Sequence, residues 1–179
     1  MIGNNLLSQI VMEKGIVEPD KILNELNAGV QSALKQGTHE VDTKDGMDVA
    51  LCVIDSDNRA VKFAGAFRPL LVIEDGKLEK IDGNKFPIGG AQAENERVFT
   101  SNTRKLKKGA TIYMFSDGYA DQFGGDRGKK FMLKKLNELF LSFQDLGMNH
   151  QREELDNALE TWKGMHEQVD DILVIGIRL

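Results

Sequence analysis

A single cysteine in 179 residues excludes any disulfide within the chain, which fits a reducing compartment. That residue, Cys52, lies in the apolar run VALCVI and reads as a small buried hydrophobe. Histidine is nearly as scarce. His39, His150 and His166 stand apart in polar or helical settings and form no visible triad. Basic residues number 23 against 28 acidic, and the net charge of −5 gives no general pull toward nucleic acid or an anionic membrane. No stretch approaches the roughly 20 apolar residues of a membrane span, and MIGNNLLSQIVMEKG lacks the basic start of a signal peptide. These absences point to a cytoplasmic protein. Repeats, low-complexity tracts and linkers are also missing. With 41% hydrophobic and 28% charged residues, the composition is that of an ordinary globular protein, and one domain over residues 1–179 is expected.

What is present is helix at both ends and strand between. Leu6, Leu7, Ile10 and Val11 recur at helical spacing before Gly15. Pro19 suits a first helical position and opens a second stripe through Ile22, Leu23, Leu26, Val30, Ala33 and Leu34, which is expected to lie on a sheet. MDVALCVID and RAVKFAGA read as a hairpin around SDN. LLVIEDGKLEKI reads as another, because Asp75-Gly76 suits a tight turn with positive φ. ERVFTSNTRKL and GATIYMF give two further strands. Two amphipathic helices follow, one through Met132, Leu136, Leu139, Phe140 and Phe143, the next through Leu155, Ala158, Leu159, Trp162 and Met165. DILVIGIRL is the last strand.

Two strand ends carry carboxylates. YMFSDGYAD stops its apolar run on Asp117-Gly118, and EQVDDILVIGIRL sets Asp170-Asp171 ahead of the final strand. Carboxylates at strand ends can share a cleft and hold hard divalent cations, with glycine letting a metal or phosphate approach the backbone. Asp-Gly is also a common turn pair, so Asp117 reads equally well as a turn residue. Adjacent acids such as Asp170 and Asp171 repel one another, and a cation relieves that repulsion. Asp45 and Asp48 enter a strand and could serve as an outer metal ligand, although turn and cap chemistry explains them more simply. Arg68, in GAFRPL, could meet a substrate phosphate through its fork of donors, though a surface arginine beside a proline turn is the plainer reading. GGDRGKK is glycine-rich and basic without P-loop spacing, and reads as a mobile flap.

The ordered set FAGAFRPLLVI, KFPIGG, KKGATIYMFSDGYADQFGG, KKF and WKGMHEQVDDILVIGIRL resembles the SpoIIE-like bacterial serine/threonine phosphatases, a branch of the metal-dependent PPM (type 2C) phosphatases. The resemblance covers nearly the whole chain. It implies an α+β fold, an α-β-β-α sandwich of two mainly antiparallel sheets flanked by helices, with a two-metal centre at one end. It also implies Mn²⁺ or Mg²⁺ as cofactor and a phosphoprotein substrate, such as an anti-sigma-factor antagonist. Asp117, with Gly118 beside it, matches the family's Asp-Gly metal motif. Asp170 matches the metal-ligand aspartate opening the last strand, and Asp171 is its neighbour.

The family's first metal motif precedes the helix that MIGNNLL resembles, and residues 1–44 offer only Asp20 and Asp42 as aspartates. The expectation is therefore a domain lacking its first strands and one metal ligand. Two functions follow from different classes: a protein phosphatase domain, with an upstream sensor domain as a further expectation, or a catalytically inactive remnant that binds a phosphoprotein. A two-metal nuclease is disfavoured by the acidic balance. Missing strands would expose sheet edges and the Leu6, Leu7, Ile10 and Val11 stripe, which favours a homodimer.

Overall fold

The computed structural model describes residues 2–36, 45–90 and 97–179. His39 and Asp42 lie outside the described residues. The chain gathers into two compact units, one formed by Met1–Leu70 and Ile81–Leu106, the other by Leu71–Lys80 and Lys107–Leu179.

The first unit begins with α1 (Ile2–Ser8), which runs into a π-helical turn, Gln9–Glu13. Gly15, at φ +66°, ends the run where the sequence places a stop. Helix α2 (Pro19–Ala33) starts on its proline and buries Ile22, Leu23, Leu26 and Val30. It packs on a three-stranded antiparallel sheet of β2 (Val49–Asp55), β3 (Ala60–Ala66) and β7 (Asn102–Lys105), in the order β2-β3-β7. A two-stranded pair, β1 (Gly46–Met47) with β6 (Ile88–Gly89), lies beside α2. Gly29 sits mid-helix because Leu6 crosses there; a Cβ on it would lie 2.9 Å from a Leu6 methyl. That crossing corrects one expectation. The Leu6, Leu7, Ile10 and Val11 stripe is not exposed: Ile10 is 2% exposed, and the other three pack against the cluster of Ile22, Leu26, Ala64 and Phe99.

The second unit is built on a four-stranded sheet. Its order is β11-β8-β4-β5, from β4 (Leu70–Glu74), β5 (Lys77–Ile81), β8 (Thr111–Phe115) and β11 (Val174–Arg178). Asp75 and Gly76 turn β4 into β5 with φ of +51° and +70°, as the Asp-Gly pair requires. After β8 come the single turn α3 (Gly118–Asp121), a small hairpin of β9 (Phe123–Gly124) and β10 (Lys129–Lys130), then α4 (Leu133–Ser142) and α5 (Met148–Lys163). The helices cover one sheet face through Leu71, Ile73, Tyr113, Phe115, Leu136, Phe140 and Leu155. Tyr113 stacks on Phe140 at a centroid distance of 4.1 Å, and its hydroxyl donates to Gln151 Oε1 at 2.5 Å. Gln151, 1% exposed, in turn donates to the Phe143 and Leu146 carbonyls of the turn that follows α4.

The chain is thus α+β, with antiparallel sheets and covering helices as expected. Two apolar positions depart from the periodic reading. Met132 precedes α4 at φ +75° and is exposed, and Met165 lies beyond α5, fully exposed. Among the described residues, no helix is long and apolar enough to cross a membrane.

Candidate functional site

Antiparallel pairing decides where the strand-end acids go. Phe115 at the end of β8 faces Val174 at the start of β11, so Ser116 stands opposite Leu173 and Gly118 opposite Asp171. Ser116 fastens the two segments beyond the ladder. Its N–H donates to the Leu173 carbonyl at 2.9 Å, its hydroxyl donates to the Asp171 carbonyl at 2.8 Å, and the same oxygen accepts the Leu173 N–H at 2.9 Å. Gly118 completes the clamp. A Cβ there would lie 2.5 Å from the Asp171 carbonyl oxygen, so what approaches this glycine is the neighbouring chain itself. Ser116 carries no sequence signal for this role; only the register reveals it.

The clamp brings Asp117, Asp170 and Asp171 to one end of the sheet. Asp117 caps α3 and is half-buried, with its carbonyl accepting the Asp121 N–H at 2.9 Å. Asp170 and Asp171 are exposed. Asp170 Oδ1 accepts the Asp171 N–H at 2.7 Å, and its carbonyl accepts from Gln168 Nε2 at 2.8 Å. These bonds hold the loop in one conformation and leave carboxylate oxygens facing water.

The other candidates belong to the first unit. Arg68 Nη2 pairs with Asp48 Oδ2 at 2.9 Å, and the Asp45 carbonyl accepts from Gln36 Nε2 and the Gly90 N–H. The turn before Arg68 is tightly determined. Phe67 has φ +58°, its N–H donates to the Asn84 carbonyl at 2.8 Å, and the Arg68 N–H closes back on the Ala66 carbonyl at 2.7 Å. Cys52 is half-buried in β2 rather than the fully buried hydrophobe expected, and desolvation there pushes its thiol up to about 12. GGDRGKK forms the β9–β10 hairpin, anchored on Trp162 rather than hanging free: the Gly125 N–H donates to the Trp162 carbonyl, and Trp162 Nε1 donates to the Gln122 carbonyl.

The model of the Stage II sporulation protein E (SpoIIE) family matches residues 4–179. The chain belongs to the SpoIIE family. No curated protein sequence matches it. Solved structures share the fold of this SpoIIE-family chain. The SiaA-PP2C domain of Pseudomonas aeruginosa is 25% identical with a TM-score of 0.87, the match covering 100% of this chain and 68% of that one. The PP2C phosphatase domain of SpoIIE from Bacillus subtilis, solved with a fragment of its regulatory domain, is 21% identical with a TM-score of 0.70, covering 99% and 48%. RsbX, solved in complex with magnesium, is 14% identical with a TM-score of 0.60, covering 97% and 71%. The fold is therefore that of the PP2C phosphatase domains, as the resemblance implies.

The donor set suits a hard cation, since carboxylate and carbonyl oxygens are the ligands Mg²⁺ and Mn²⁺ prefer. Among the described residues, however, no three His, Cys, Asp or Glu side chains stand close enough together to hold an ion between them.

Proposed function

We propose that the chain is a metal-dependent phosphoserine/phosphothreonine protein phosphatase domain of bacterial signalling. Its substrate class is a phosphoprotein such as an anti-sigma-factor antagonist, and its setting is cytoplasmic. The observation that carries this is the Ser116 clamp, which joins the Asp117-Gly118 end of β8 to the Asp170-Asp171 loop in a SpoIIE-family domain.

Asp117, with Gly118 beside it, and Asp170, with Asp171 in support, are the residues that would hold Mn²⁺ or Mg²⁺. When bound, the cations supply Lewis-acid activation of water for in-line attack on phosphorus and offset charge on the phosphoryl oxygens. The chain's own part is placement. Ser116 fixes the distance between the two carboxylate segments, Gly118 lets them close up, and the Asp171 N–H orients the Asp170 carboxylate. Arg68 is a phosphate-binding candidate that already presents its guanidinium to an anion, Asp48; a phosphate would exchange for that partner. Asp45 and Asp48 stay outer candidates.

The test is phosphate release from a phosphopeptide and from an aryl phosphate, with Mn²⁺ or Mg²⁺ and with a chelator. Activity dependent on the added metal is expected, and activity that survives chelation sinks the two-metal mechanism. A second reading, a phosphoprotein-binding module without turnover, is favoured by the lack of a three-carboxylate group among the described residues. Tight phosphopeptide binding with no metal-stimulated release would establish it.

A further inference from the structure

Residues 123–135 hold five basic side chains, Arg127, Lys129, Lys130, Lys134 and Lys135, against one acid, Asp126, in a chain of net charge −5. Three are already engaged. Lys130 pairs with Asp121 at 2.9 Å, Lys135 lies 3.6 Å over the Trp162 ring, and Lys134 stands 4.0 Å from Glu138. Arg127 and Lys129 are exposed, and neither has an ion pair among the described residues.

The hairpin that carries them is rigidly held. A Cβ on Gly124 would collide with the Trp162 carbonyl oxygen, and the Gly125 N–H donates to that same oxygen at 2.8 Å. Gln122, wholly buried, donates from Nε2 to the Phe123 carbonyl at 3.0 Å and to the Glu167 carbonyl at 2.9 Å. The Phe131 N–H returns to the Gln122 carbonyl, and the Met132 N–H to Ala120 in α3. The base of the hairpin is thus fastened to the helix that begins just after Asp117 and to the loop that leads to Asp170. Two unpaired cations stand on a preorganised support, at the end of the sheet where the carboxylates gather. A support of this kind spares the partner the cost of ordering the cations.

We propose that the Phe123–Lys130 hairpin is a docking element for acidic side chains flanking the phosphorylated residue of a protein substrate, with Arg127 and Lys129 as its contacts. This rests on the phosphatase reading and specifies the substrate class at the same site. An acidic peptide fits better than nucleic acid, because two free cations neutralise too few phosphates to overcome the repulsion of a net negative chain.

The experiment measures fluorescence anisotropy of the full chain with a phosphoserine peptide flanked by glutamates, the same peptide flanked by glutamines, and one flanked by lysines. Arg127→Glu/Lys129→Glu is compared with wild type, and aryl phosphate turnover is followed in parallel. The expected results are preference of the wild type for the glutamate peptide, a loss of about tenfold or more in that affinity in the double variant, little change with glutamine flanks, and a gain with lysine flanks. Turnover of the aryl phosphate should match wild type in the variant. Equal binding of glutamate and glutamine peptides by wild type overturns the proposal, as does unchanged glutamate-peptide affinity in the variant. Displacement of the peptide by a short oligonucleotide at equal charge assigns the hairpin to nucleic acid instead. Absent turnover in both proteins refutes the phosphatase reading alone, since anisotropy reads docking without chemistry. Circular dichroism and Trp162 fluorescence confirm that the variant keeps its fold.

Discussion

Replacing Gly118 with alanine separates stability from function at the clamp. The new Cβ would lie 2.5 Å from the Asp171 carbonyl oxygen and 3.0 Å from both the carbonyl carbon and Ile172 Cγ1, where ordinary contact begins near 3.4 Å. The obstacle is backbone, so the Asp171 segment must retreat by about 1 Å. Overpacking of this kind costs about 1–3 kcal/mol. Alanine recovers up to about 1 kcal/mol as a better helix former in α3, where the glycine has no positive φ to protect. The net loss is about 0–3 kcal/mol, or at most roughly 12 °C in melting temperature for a chain of this length. Cation binding responds differently. The retreat breaks the 2.8 Å bond from Ser116 Oγ to the Asp171 carbonyl and moves Asp170 off its position, and loss of such supporting contacts weakens metal affinity about 10–100-fold. Electron paramagnetic resonance of free Mn²⁺ gives the affinity, and calorimetry of the metal-free protein gives the melting temperature. A variant that melts a few degrees low yet binds Mn²⁺ as wild type does refutes the argument. Ser116→Ala, which removes both side-chain hydrogen bonds without adding volume, repeats the test with no overpacking.

Asp117→Asn and Asp170→Asn should each weaken Mn²⁺ binding while leaving the circular dichroism spectrum unchanged; unaltered affinity in both returns Asp117 to the status of a turn residue. The chain's only two tyrosines, Tyr113 and Tyr119, are 1% exposed, and burial pushes Tyr113 up to about 12 and Tyr119 higher still. Because the folded state holds these protons more tightly than the unfolded chain, stability is intact below about pH 10 and falls as pH rises toward 12. Tyrosinate absorbance should therefore appear only with unfolding, and a reversible titration near pH 10 in the folded protein contradicts the burial argument. Gln151→Leu leaves the Tyr113 hydroxyl without its partner, while the Phe143 and Leu146 carbonyls keep the Leu146 N–H and Arg178 Nη1, and should cost about 1–3 kcal/mol in denaturant unfolding; an unchanged midpoint removes Gln151 from the account. Self-association should occur through β11, an edge strand among the described residues with Ile175 40% exposed and Leu173, just before it, 57% exposed. Sedimentation across a dilution series reads it, Ile175→Lys should suppress it, and a monomer at every concentration sinks it.

The elements that the sequence makes legible are those whose cause is local. Asp75-Gly76 marks its turn because few pairs tolerate two positive φ values in succession, and the α2 stripe is visible because a helix on a sheet must bury every third or fourth residue. The Leu6 stripe misleads for a related reason: its periodicity is right, but whether it is covered depends on Gly29, whose missing side chain admits Leu6 onto α2. Met132 and Met165 fit a helical period and yet lie outside the helices, because chain direction there is set by hydrogen bonds to Ala120 and by the α5 stop at Gly164, which has φ +53°. The candidate acids announce themselves by type at strand ends. Their partnership does not, because it runs through Ser116, a residue with no compositional signal, and through pairing across more than fifty residues of chain.

That pairing also explains why carboxylates occur at both strand ends. In an antiparallel pair the exit of one strand meets the entry of the other, so an acid after β8 and an acid before β11 share one end of the sheet whatever the chain does in between. The intervening α3, hairpin, α4 and α5 can then serve other ends, as the α4–α5 layer does in covering Tyr113 and Phe115. The arrangement has one vulnerability. A slip of one residue between β8 and β11 would exchange the faces to which Val174 and Ile175 point and separate the acids. Three contacts resist that slip: Tyr113 lies close against Gly176, where a Cβ would come within 3.0 Å of the ring; Ser116 bonds both Asp171 and Leu173; and the missing side chain of Gly118 makes room for the Asp171 carbonyl only at its present position. Two glycines and a serine therefore set where the carboxylates stand, and substitution at those positions should disturb cation binding as much as substitution of the acids themselves.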